Sequence, residues 1–113
     1  MTLADSARVF CSAYAARADL AQGFRGWTKA IALIASDTGE EVVVMIRDGR
    51  VLGCESGSGR GDVIITAEAQ TLSDVLELKR GANEPYLFGE LTVRGAEEDF
   101  LRLDYVTSVL GPR

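Results

Sequence analysis

The chain has 113 residues, 47% of them apolar and 26% charged, with a net charge of −5. That balance belongs to one soluble globular domain spanning 1–113, which can bury about two thirds of its unfolded surface without help from a disulfide or metal. Its 12 basic residues are scattered along the sequence, which argues against nucleic acid as a partner, and the absence of histidine excludes His-based triads, His proton shuttles and most zinc or iron sites.

The first residues, MTLADSARVF, carry acid early and lack a basic segment followed by an apolar run, so no signal peptide is expected. No stretch approaches a membrane span in length, and a cytoplasmic location is the expectation. Cys11 and Cys54 lie far apart with no metal-ligand spacing and are expected as buried free thiols.

Residues 3–20 are predicted as one amphipathic helix, because Leu3, Ala7, Phe10, Tyr14 and Ala18 recur at helical spacing with Cys11 beside them. Gly23 and Gly26 end it. Trp27 then opens WTKAIALIAS, apolar on both faces, which suits a strand covered on both sides. DTGE is a turn, and EEVVVMIRDGR is a β-branched strand that runs into the hairpin signal Asp48-Gly49, with Val51 to Glu55 returning. GSGRG is expected as a flexible hairpin loop rather than a phosphate-cradling loop, since a strand follows it in place of GK[ST] and a helix.

DVIITAEA is a buried strand, after which a helix is expected to start at Thr71 with Asp74 completing a capping box, to bury Leu72, Val75, Leu76 and Leu78, and to stop at Gly81. Pro85 suits the first turn of a short helix, EPYLF, ended by Gly89. In GELTVRG, Leu91 and Val93 face one way and Glu90, Thr92 and Arg94 the other. The last helix, AEEDFLRLDYVTSVL, has three acids in its first turn, where the helix dipole favours them, and an apolar stripe of Phe100, Leu103, Val106 and Leu110. The predicted class is α+β.

The order and spacing of RGWTKAIALIA, RDGRV, DVIITAEAQTLSDVLELKRG and EPYLFGELTVRG, ahead of a C-terminal amphipathic helix, resemble the sterol carrier protein type-2 (sterol-binding domain) family over roughly residues 20–110. Where this chain has Ala96, family members often have an acidic N-cap. The resemblance implies a five-stranded twisted sheet with helices over one face and an apolar tunnel between the layers, closed near the C-terminal helix. A sterol, fatty acid, acyl-CoA or isoprenoid would occupy it, with no cofactor and with transient contacts to a membrane or enzyme.

On that basis Tyr86, Leu87, Phe88, Phe100, Leu103 and Tyr105 are candidate lining, joined by Leu76, by Trp27 at a cavity end and by Met45 as an adaptable gap-filler. Most apolar residues at helical spacing are simply core. A buried carboxylate or Tyr would make the same fold an enzyme. Asp104 falls in a polar stripe with Glu97 and Ser108, so solvation is expected for it; Glu97, Glu98 and Asp99 are expected to stabilise the helix start, and the orientations of Glu55 and Glu90 are left open. A lipid carrier is the expected function, with an enzyme or a partner-binding module on the same fold as the alternatives.

Overall fold

The computed structural model describes residues 2–57 and 60–111. Helix α1 (Leu3–Ala15) starts at a capping box in which the Thr2 hydroxyl accepts the Asp5 N–H at 3.2 Å and the Asp5 carboxylate accepts the Thr2 N–H at 2.9 Å. The single helix predicted over 3–20 is two: Arg17 is extended (φ −112°, ψ 93°) and α2 (Ala18–Gly23) begins after it. The break lets α2 bury Leu20 and close over the hairpin tip, where a Cβ on Gly49 would lie 2.6 Å from the Ala21 carbonyl oxygen.

The strands are β1 (Lys29–Ala35), β2 (Glu41–Arg47), β3 (Arg50–Ser56), β4 (Val63–Ala67) and β5 (Leu91–Arg94), in the spatial order β3-β2-β1-β4-β5. β1 pairs in parallel with β4; every other neighbouring pair is antiparallel. Both turn residues between β2 and β3, Asp48 (φ 50°) and Gly49 (φ 79°), take the left-handed conformation that a tight two-residue hairpin requires. Alternation sends Ile31, Leu33, Val42, Val44, Ile46, Ile65 and Leu91 to one face, where they are buried beneath the helices.

β3 and β4 are not the two arms of a hairpin. Two strands, β2 and β1, lie between them. A Cβ on Gly57 would collide with Val43 Cγ2, and one on Gly61 would lie 3.2 Å from Ala32 Cβ, so both glycines press on the sheet face turned away from the helices. Ala32 is buried on that face, while its strand neighbours Ala30 and Ile34 there are half-buried. The flexibility expected of GSGRG falls partly on Ser58 and Gly59, outside the described residues.

Helix α3 (Ala69–Leu76) begins earlier than the Thr71–Asp74 pair predicted, because Asp37 of the DTGE turn accepts the Ala69 N–H at 2.8 Å and caps the helix from across the fold. It also ends before Gly81. Leu78 takes the left-handed conformation (φ 65°) while Leu78 N–H bonds the Val75 carbonyl and Lys79 N–H the Asp74 carbonyl, the two bonds of a Schellman stop. Helix α4 (Asn83–Leu87) holds Pro85 in its first turns, and α5 (Glu97–Leu110) follows β5. Gly95 needs its missing side chain at that junction: its φ is 133° and a Cβ would lie 2.7 Å from the Asp62 carbonyl oxygen.

Candidate functional site: an apolar slot between sheet and helices

Between the buried sheet face and the helices runs a slot whose floor is Ile31 and Leu33 of β1, Val44 of β2, Ile65 of β4 and Leu91 of β5. Its roof is Phe10 of α1, Val75 and Leu76 of α3, Ala82, and Leu103 and Thr107 of α5. Thr107 is the one polar side chain of this lining, and it is satisfied: its hydroxyl donates to the Asp104 carbonyl at 3.0 Å and accepts the Ala82 N–H at 3.2 Å. The side chains close to leave a cavity of about 10 Å³, room for roughly one water molecule.

The predicted site residues divide around this slot. Leu76 and Leu103 line it. Phe100 is buried, its ring 4.7 Å from that of Tyr86 between centroids, while Tyr86, Leu87 and Phe88 stand out from α4 with 44%, 70% and 75% exposure. Tyr105 is also exposed and meets Phe24 edge-on. Met45 lies on the sheet face away from the helices, because its neighbours Val44 and Ile46 take the buried face of β2. Trp27 is buried elsewhere: it packs on Phe24, carries Arg102 over its ring, and donates its indole N–H to Asp99 Oδ1 at 2.9 Å.

Asp99 does more than favour the helix start. It is 1% exposed, with Arg102 at 3.4 Å from Oδ1 and Lys29 Nζ at 3.6 Å from Oδ2, which has no hydrogen-bond partner among the described residues. Its spacing to Leu103, Val106 and Leu110 already places it on the buried stripe of α5, a signal present in the sequence. Two of the other carboxylates serve structure. Asp104 accepts the Asn83 N–H at 3.1 Å and so caps α4, and Glu90 pairs with Arg80 at 3.0 Å, whose guanidinium holds its carboxyl below the usual range. Glu55 is exposed on β3.

Floor residues on β1, β2 and β4, and Phe10 of α1, were missing from the sequence-derived site. Their alternation and helical spacing were visible; which face meets which was not. Cys11 and Cys54 are free, and the Cys11 thiol is pushed up to about 12, by burial first and then by the neighbouring Cys54, so it is a poor nucleophile. Among the described residues no group of three or more Cys, Asp or Glu side chains could hold a metal ion, and no helix is long and apolar enough to cross a membrane.

No family model and no curated protein sequence matches the chain. Solved structures do. A crystal structure of sterol carrier protein 2 superposes with a TM-score of 0.70 at 18% identity, covering 94% of this chain and 93% of that one. Palmitated SCP2L2 from Aedes aegypti gives 0.65 at 18% identity, covering 95% of both chains. The ubiquinone synthesis protein UbiJ-SCP2 gives 0.63 at 14% identity, covering 88% of this chain and 82% of that one. The five-stranded mixed sheet with its helices is therefore the sterol carrier protein 2 fold, over nearly the whole chain.

Proposed function

We propose that this chain is a small cytoplasmic lipid carrier, a single domain over 1–113 that holds a sterol, fatty acyl or isoprenoid ligand between its sheet and its helices. The observation that carries the reading is the slot: three helices and four strands aim apolar side chains into it, and its lone polar side chain is already satisfied. The fold shared with sterol carrier protein 2 and with a palmitated relative supports the same class of ligand. Among the described residues no ionisable side chain lines the slot, which favours a carrier over an enzyme. Burial of apolar ligand surface supplies affinity at about 25 cal/mol per Å², offset by ordering costs.

Loading requires the layers to part, because the slot as it stands holds about 10 Å³ against the roughly 300 Å³ or more of ordinary ligand sites. In this reading Leu76, Phe100 and Leu103 belong to the wall that yields. Exposed Tyr86, Leu87 and Phe88 form the mouth and touch a donor or acceptor membrane transiently. Mass spectrometry of lipids retained by the purified protein, followed by displacement of a fluorescent fatty acid, tests the proposal. A retained apolar lipid that competes at micromolar concentration is expected. Failure of acyl chains, sterols and isoprenoids alike to compete would defeat it, and recovery of a chemically converted lipid would move the protein to the enzymes.

A further inference from the structure

A second cleft, of about 380 Å³, opens between α1–α2 and the β2–β3 turn and shares no lining residue with the apolar slot. Its volume falls in the range of small-molecule sites. Arg17, Arg25 and Arg50 line it together with Tyr14, Gln22 and Asp48. Basic residues that look scattered in the sequence are thus gathered by the fold into one cleft, on a chain whose net charge is −5.

Arg17 forks onto Asp19, with both contacts at 2.9 Å, but among the described residues Arg25 and Arg50 enter no ion pair. Asp48, the acid of the lining, spends its Oδ1 on the Gly26 N–H at 2.6 Å. The wall is also rigid. Tyr14 donates its hydroxyl to the Gly49 carbonyl at 2.7 Å, Gly49 N–H bonds the Trp27 carbonyl at 2.9 Å, and Asp48 N–H bonds Thr28 Oγ1 at 2.9 Å. The two-residue hairpin turn accounts for the φ of 50° at Asp48, and these bonds tie that turn to α1 and to Trp27 and Thr28.

We propose that this cleft is a binding site for a phosphate-bearing small molecule or head group, held by Arg25 and Arg50 with Arg17 at its edge. Guanidinium forks match phosphate oxygens bidentately, and the turn that carries Arg50 is already held in place by its own hydrogen bonds. A ligand with several phosphoryl oxygens can engage more than one fork at once and offers more oxygens for doing so than a single carboxylate. The site acts independently of whatever the apolar slot holds.

Calorimetric titration of the full chain with inorganic pyrophosphate tests the site. Saturable binding that weakens with added salt is expected. Arg25→Gln and Arg50→Gln should each weaken it about tenfold, the loss of one charge-assisted contact, and Arg50→Lys by less. Arg94→Gln, on the opposite edge of the sheet, should leave it unchanged. A parallel flotation assay with phosphatidylcholine vesicles, with and without phosphatidic acid, identifies the source of the phosphate. Binding confined to the phosphatidic acid vesicles and lost in both cleft variants assigns the site to a lipid head group. Thermal melts accompany each variant, and Arg50→Lys carries the test if a glutamine variant is unfolded. Absence of both kinds of binding, or an equal loss in Arg94→Gln, would overturn the proposal.

Discussion

Leu103→Ala probes the slot most sharply. Leu103 is 5% exposed and lines the slot from the roof, with Leu33 and Ile65 in the floor. The substitution removes three carbons, worth about 0.8 kcal/mol each in transfer free energy, or about 2.4 kcal/mol together. With about 10 Å³ of free space at the site, the vacated volume is new cavity, and its lost contacts bring the total to about 3 to 4 kcal/mol. Urea unfolding monitored by circular dichroism, with and without palmitate, measures both consequences. The ligand-free variant should lose that stability without a change in m-value, and palmitate should return a larger share to the variant than it adds to the parent, since its chain fills the new space. A loss below about 1 kcal/mol without ligand would mean that the slot is already open, and an equal effect of palmitate on both proteins would mean that its chain lies elsewhere.

Asp99→Ala should cost about 3 kcal/mol or more, because it strands the Trp27 indole N–H and leaves a void, whereas Asp99→Asn keeps an acceptor for that N–H and should cost about 1 kcal/mol; thermal melts of the pair separate the hydrogen bond from the charge. Gly95→Ala should destabilise by about 2 kcal/mol and Gly89→Ala by about 1 kcal/mol, since both have positive φ but only Gly95 also faces a backbone clash, and equal melting temperatures would remove the clash as a cause. Burial pushes both the Cys11 thiol, from an ordinary 9.0, and the Tyr14 hydroxyl, from 10.0, up to about 12. A raised folded pKa means that the contribution is complete below the ordinary value and is lost as pH climbs through the folded one, so stability should fall from about pH 9 to 12 and Cys11→Ala should flatten the first part of that fall.

Much of the fold could be read because local signals agreed with the final packing. The β-branched runs of β2 and β4, the Asp48-Gly49 turn and the glycines around β5 each fix local geometry by their own chemistry. What could not be read was set by distant partners. No residue at Ala16 or Arg17 announces a helix break; α2 turns there because a hairpin tip must fit under it. The start of α3 depends on Asp37, far away in sequence, and its stop falls on a leucine where glycine was expected. The site was legible only in outline. Helical spacing marked Leu76, Phe100 and Leu103 as apolar, yet spacing does not say that Leu87 and Phe88 at the end of α4 turn to solvent, nor that Gly57 and Gly61 press on the Met45 side of the sheet while the helices take the other face. The arginine cleft was invisible for the same reason, since Arg17, Arg25 and Arg50 meet only through the tucked hairpin.

Carbon-13 methyl NMR of the Leu, Ile and Val side chains during a palmitate titration addresses the central claim directly. A ligand between the layers should shift Leu33, Ile65, Leu76 and Leu103, which line the slot, and leave Ile34 and Ile64 on the opposite sheet face unchanged. Saturating palmitate that leaves the slot methyls unmoved, or shifts those of Ile34 and Ile64 instead, would contradict the account.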